Sequence, residues 1–145
     1  MQILMAPETD DLSSPYWSAC REGRLELQRC RTCTRFVHHP ERSCPWCGGA
    51  DLGHDEVSGR GTIEAFTVIH RSFVAAYRDS GPYVVGWVGL DEQPGLRIFA
   101  GIDVEPDGET DLVGARVAVA FAEVAEFGAM PYFVLDGEAT DGVRP

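Results

Sequence analysis

The chain contains no lysine. Its twelve cationic side chains are all arginine and stand against 23 Asp and Glu, a formal net charge of −11 over 145 residues. A chain this acidic repels nucleic-acid phosphates, whose binding relies on cationic side chains that displace counterions, so no nucleic-acid partner is expected. Long hydrophobic runs are missing too. Nothing approaches the ~18 uncharged apolar residues of a membrane span, and no membrane partner is expected. The opening segment, Met1 to Asp11, carries Glu8, Asp10 and Asp11 and lacks the basic n-region of a signal peptide. The expectation is a cytoplasmic protein. Gly-x-Ser-x-Gly, a Gly-rich phosphate loop and the Rossmann fingerprint are all absent, which removes the commonest motif-bearing enzyme classes. What remains is an ordinary apolar content of 44%, with room for one domain and a small module.

The charge is unevenly spread. Between Arg21 and Arg42 six arginines face Glu22, Glu26 and Glu41, and the rest of the chain is strongly acidic. That basic stretch holds most of the cysteines. Four of the five form two pairs, Cys30-Arg-Thr-Cys33 and Cys44-Pro-Trp-Cys47, separated by ten residues. In a cytosolic protein this is metal-site spacing rather than a disulfide framework. Each C-x-x-C turn presents two thiolates on one side of a tight knuckle, and two facing knuckles complete a tetrahedron at Zn–S distances of ~2.3 Å. Gly48-Gly49 suits a knuckle that needs positive φ. Arg29, Arg31 and Arg35 favour the deprotonated thiolates a metal requires. Structural Zn2+ is the expected ion; iron in a rubredoxin-like site of four cysteines uses the same ligands and ranks second. A redox pair lacks the βαβ pattern it would need.

Cys20 stands apart. It lies in a short helix with Ser14 as N-cap, Pro15 at the first position and Gly23 as stop. It reads as a packing residue, with no base to make it a nucleophile. His38 and His39 read as loop residues, since four cysteines already fill a tetrahedron.

Beyond the ribbon, Asp51 to Arg60 reads as a short polar linker. Five runs rich in β-branched and aromatic residues follow: 62–70, 82–90, 96–102, 116–121 and 131–135. Asp91-Glu-Gln-Pro-Gly95 joins the second and third as a hairpin. The second run is apolar on both faces, as a strand covered on its outer side would be. The fold class is therefore mainly β: an N-terminal helical segment (1–23), a zinc ribbon (24–55), a five-stranded barrel (56–137) and a flexible tail (138–145). An OB-fold barrel is expected, and an SH3-like barrel would read almost the same. The loop between the first two strands, residues 71–81, offers Phe73 and Tyr77 beside Arg71 and Arg78. Aromatics flanked by arginine suit a protein interface, and equally a lid folded on the barrel end.

These motifs in this order resemble one family. Tyr16-Trp17, Gly23-Arg-Leu-Glu-Leu-Gln-Arg-Cys-Arg-Thr-Cys33, Cys44-Pro-Trp-Cys-Gly48, Val57-Ser-Gly-Arg-Gly-Thr62, Phe66-Thr-Val-Ile-His-Arg71 and Pro82-Tyr-Val-Val85 are similar to the OB-fold acyl-CoA-associated family, once called domain of unknown function thirty-five. The likeness runs from Ser13 to Leu135. It implies a rubredoxin-like zinc ribbon held by Cys30, Cys33, Cys44 and Cys47, and no catalytic residue. It also implies a hetero-oligomer, two copies of each chain, with a thiolase-fold enzyme of lipid metabolism: a thiolase or a lipid-transfer-protein-type aldolase, as in steroid side-chain degradation. Acyl-CoA would then meet this chain only through the complex. In that setting Arg31 and Arg35 are candidates for the CoA phosphates, because arginine binds phosphate bidentately. Phe73, Tyr77 and Arg78 are the candidate partner contacts. A nucleic-acid-binding module is the alternative function for such a barrel and ribbon.

Overall fold

The computed structural model describes residues 1–137, so the tail expected at 138–145 lies outside the described residues. The chain begins with a strap and a single α-helix, α1 (Ser14–Arg21). A ribbon of three strands follows: β1 (Glu26–Cys30), β2 (Phe36–Val37) and β3 (Leu52–Glu56), in the order β2-β1-β3. Five longer strands then close a barrel: β4 (Arg60–Ile69), β5 (Tyr83–Leu90), β6 (Arg97–Ile102), β7 (Arg116–Val124) and β8 (Gly128–Leu135). All five expected runs are strands. No helix among the described residues is long and apolar enough to cross a membrane.

The barrel order is β4-β5-β6-β8-β7, with β4 returning to pair antiparallel with β7 and β6 meeting β8 in parallel at Ile102 and Phe133. This is the Greek-key arrangement of an OB-fold, which decides between the two barrels the sequence left open. One strand must serve two neighbours for such a barrel to close. β4 does so by shifting register between Ile63 and Ala65, a bulge that bends it from β7 toward β5. Gly86 has no room for a side chain: a Cβ there would lie 2.5 Å from the Ala65 carbonyl oxygen and 2.9 Å from Ile102 Cδ1. Ile63, Val84, Val88, Ile98, Ile102, Val117 and Phe133 fill the inside, all essentially buried.

The helix and one face of the ribbon share the barrel's core, while the cysteines keep a small cluster of their own with Val37. Tyr16 and Cys20 of α1, with Leu25, Leu27 and Phe36, pack into one cluster with Val57, Ile63, Leu96 and Phe133 of the barrel. The helix also grips the β7–β8 hairpin, where the Arg21 Nε donates to the Phe127 carbonyl at 2.6 Å and Trp17 meets the Phe127 ring at 5.5 Å.

Two local expectations are corrected. Ser14 is the first helical residue rather than the cap. Asp10 and Ser13 pair reciprocally one step earlier, the Ser13 amide on Asp10 Oδ1 at 2.7 Å and the Asp10 amide on Ser13 Oγ at 3.0 Å. The far end ends as expected: Gly23, at φ +73°, donates to the Cys20 carbonyl. The segment expected to be a polar linker contains β3, which pairs along the whole of β1 from Glu26 with Glu56 to Cys30 with Leu52.

Candidate functional site: a four-cysteine metal centre

Two turns of the same shape build the centre. In the first, the Thr34 amide donates to the Cys30 carbonyl at 3.0 Å; in the second, the Gly48 amide donates to the Cys44 carbonyl at 2.8 Å. Both pivot residues have left-handed backbones, Thr34 at φ +67° and Gly48 at φ +74°. Glycine takes that conformation freely, whereas a β-branched residue is strained in it, so the first knuckle holds its shape against its own sequence. The carbonyl of Thr34 is held by the Arg29 Nε at 2.7 Å.

The knuckles face each other. The four sulfurs of Cys30, Cys33, Cys44 and Cys47 all lie within 4.8 Å of one another, with Cys30 to Cys47 at 3.7 Å and Cys33 to Cys44 at 3.6 Å. Four ligands at ~2.3 Å around a tetrahedral ion stand ~3.8 Å apart. A disulfide would need ~2.05 Å. All four are free thiols, and their spacing fits a bound metal ion. Cys30 and Cys44 are buried with Val37, and Leu52 packs alongside, so one side of the centre is dry while Cys47 faces solvent.

The protonation of the cluster tells the same story. The backbone amides of Cys33 and Thr32 pull the Cys30 thiol down to about 6. The Gly49 amide pulls on Cys47 in the same direction, but desolvation and the three neighbouring sulfurs push it up to about 11. Four bare thiolates this close repel one another, and a divalent cation is what allows all of them to ionise.

The surroundings are braced by ion pairs. Asp55 on β3 takes the Arg31 guanidinium at 2.8 and 2.9 Å and Arg29 at 3.2 Å, and Arg31 holds its carboxyl down at about 2. Arg31, one of two arginines read as facing CoA phosphates, is thus committed to Asp55 and also reaches the His54 carbonyl at 3.3 Å. Arg35 is exposed and stacks at 4.9 Å over the Trp46 ring of the second knuckle. Cys20 is fully buried, and burial pushes its thiol up to about 12, as a packing residue should be.

The loop at 71–81 divides the roles expected of it. Phe73 is 95% exposed, and Arg78 is exposed as well. Tyr77 folds back: its ring lies 5.5 Å from Tyr83 and its hydroxyl accepts the Leu4 amide at 2.9 Å. Sequence reasoning passed over the outward aromatics Trp87 and Phe99, whose rings are 5.1 Å apart. The signal was there, in the two apolar faces of the second strand.

Comparison with known proteins agrees with this geometry. Residues 17–53 match the family described as ChsH2, rubredoxin-like zinc ribbon domain, and residues 54–122 match ChsH2, C-terminal OB-fold domain. A Thermomonospora curvata protein named "Probable enoyl-CoA hydratase alpha subunit" is 33% identical over 93 residues. These are 63% of this chain but 28% of that protein, so the chain spans little more than a quarter of this relative's length. A solved structure titled "Ltp2-ChsH2(DUF35) aldolase" is 27% identical with a TM-score of 0.78, over 90% of this chain and 98% of that one. A DUF35-family protein of unknown function from Sulfolobus solfataricus, 12% identical, shares the fold with a TM-score of 0.60 over 88% of this chain and 87% of that one. The two matched segments adjoin without a gap from residue 17 to residue 122, and the chain belongs to the ChsH2 family of DUF35 proteins, a cysteine metal ribbon set on an OB-fold barrel.

Proposed function

We propose that this chain is a non-catalytic accessory subunit. It forms a hetero-oligomer, two copies of each chain, with a thiolase-fold acyl-CoA enzyme, stabilises that enzyme and helps shape its acyl-CoA entrance. The observation that carries the reading is the likeness to the chain of the Ltp2-ChsH2 aldolase, which extends over nine-tenths of this molecule. Catalysis then belongs to the partner chain, and the partner decides whether the reaction is thiolysis, condensation or retro-aldol cleavage. A role in steroid side-chain degradation in the cytoplasm is the setting the resemblance suggests. The name of the hydratase subunit adds acyl-CoA chemistry to the same picture, although most of that relative lies beyond the segment matched here.

In this reading the metal is zinc, held by Cys30, Cys33, Cys44 and Cys47. It supplies no reaction step; it pins the two knuckles and so fixes β1 and β2 against the barrel. Phe73 and Arg78 are the loop contacts to the partner, with Tyr77 setting the loop's position. Arg35 is the better of the two CoA-phosphate candidates, because Arg31 is engaged by Asp55.

The test is a tagged pull-down from the source cells, with partners identified by mass spectrometry. A near-stoichiometric thiolase-fold enzyme supports the subunit reading. Recovery of nucleic acid or RNA-processing proteins in its place overturns it. Replacing Arg31 and Arg35 with alanine and leaving acyl-CoA affinity of the assembled complex unchanged would remove the CoA role alone.

A further inference from the structure

Strand β5 alternates strictly. Val84, Val88 and Leu90 point into the barrel and are buried, so Tyr83, Val85 and Trp87 stand on the outer face. The ladder sets Ala65 of β4 and Phe99 of β6 on either side of Trp87. Trp87 is 40% exposed and Phe99 52%, their rings stacked at a tilt. An outer sheet face built this way is apolar where solvent would select polar residues.

The chain itself covers part of this face. The Met1 side chain lies against Gly101, and Leu4 is tied to Tyr77. A cavity of about 1030 Å3 runs under this strap and reaches Phe99. The Trp87 end is left open among the described residues.

We infer that the outer face of β4, β5 and β6, centred on Trp87 and Phe99, is where a protein partner with an apolar centre and a cationic rim docks. This rests on the subunit reading above and gives it a surface. Charge selects the occupant. Over residues 57–137, Arg60, Arg71, Arg78, Arg97 and Arg116 face twelve Asp and Glu. Three of these arginines pair with three of those carboxylates, Arg60 with Asp136, Arg97 with Glu64 and Arg116 with Asp91, which leaves the acidic excess as it was. Near the apolar face stand Asp79 and Glu105, which line the cavity beside it, while Asp103 in the same lining is paired with the Met1 amino group at 3.1 Å. A second copy would bring the same carboxylates against themselves, and nucleic acid would bring phosphates. A basic-rimmed protein surface meets both the apolar centre and the acidic border, with the two aromatics as its anchors.

The experiment uses the full chain with its metal and the purified thiolase-fold enzyme recovered with it from the same cells, titrated by calorimetry. Trp87→Gln with Phe99→Gln should weaken binding at least ~100-fold. Raising salt from 0.05 to 0.5 M should weaken the wild-type complex roughly tenfold or more. Ala65→Arg, an exposed substitution beside Trp87, serves as the second variant should the double one fail to fold, and should weaken binding at least ~10-fold. Variants that bind within threefold of wild type overturn the surface while the subunit reading stands. Failure of the wild-type chain to bind any thiolase-fold enzyme overturns the subunit reading, and this surface with it. Self-association of the wild-type chain that the Trp87 and Phe99 substitutions abolish overturns the hetero-partner in favour of a second copy.

Discussion

Gln93 pairs with Phe36 as a backbone strand would. The Phe36 amide donates to Gln93 Oε1 at 2.8 Å, and Gln93 Nε2 donates to the Phe36 carbonyl at 3.1 Å. Gln93 belongs to the β5–β6 turn of the barrel and Phe36 to the ribbon, so one amide side chain extends the small sheet across the boundary. Gln28 does the same inside the ribbon, exchanging two bonds with Glu41 at 2.8 Å each. With the shared core, these pairings make helix, ribbon and barrel one unit.

Gln93→Ala should therefore loosen the ribbon from the barrel. Phe36 is buried, and both its backbone groups would lose a partner at about 1–3 kcal/mol each. The expected loss is roughly 2–6 kcal/mol, seen as a lower urea midpoint with the slope unchanged. Gln93→Glu keeps the acceptor and loses the donor, so its midpoint should fall between the two. Equal midpoints for all three chains would show that the contact carries no stability.

The metal should account for much of the ribbon's order. The purified chain is expected to hold one zinc by elemental analysis and to be colourless; a red protein would mean iron. Cys44→Ser, at a buried ligand, should abolish stoichiometric metal and melt β2 while the barrel signals persist. Binding releases protons, so affinity should fall as pH drops and the thiolates are titrated. A competition titration with a chromophoric chelator from pH 8 to 6 measures that slope. A flat profile would mean that the sulfurs are not the ligands.

The metal centre was legible in the sequence because knuckle chemistry is local: two C-x-x-C turns and Gly48 state their own geometry. The barrel was legible because each strand carries its own apolar pattern. β3 was not. Leu52-Gly-His-Asp-Glu56 has no alternation to read, and it becomes a strand through its ladder to β1 and the clasp of Arg29 and Arg31 on Asp55, both of which require the fold. Thr34 hid for a similar reason, since a β-branched residue is a poor advertisement for a left-handed turn. The outer face of the second run reads as apolar and covered, yet Trp87 on it is exposed, and so is Phe99 of the third run; exposure depends on what lies above the sheet, which one strand cannot report.

Cys20 should be inert in the folded chain. Burial pushes its thiol up to about 12, so almost no thiolate exists at neutral pH, and no solvent reaches the sulfur. Ellman's reagent should leave Cys20 unmodified in the metal-loaded chain and label it on unfolding in urea. Peptide mapping assigns the label. Rapid labelling under native conditions would mean that α1 opens away from the barrel.

His38 makes a pH-dependent prediction of definite sign. Its ring lies 5.6 Å from that of Tyr16 and 4.4 Å from that of His39, at the seam between α1 and the ribbon. Burial, with the neighbouring His39 adding to it, lowers its pKa from 6.5 to about 4. For a base lowered by folding, the unfolded chain takes up the proton first. The stability due to the neutral ring is then complete above pH 6.5 and is lost as pH falls from 6.5 toward 4. The His38 ring signals in an NMR titration of the metal-loaded chain should stay still from pH 8 to 5. The urea midpoint should decline over the lower half of that range, and less so in His38→Phe. A His38 midpoint near 6.5 would place the ring in water and dissolve the seam between helix and ribbon that the stack implies.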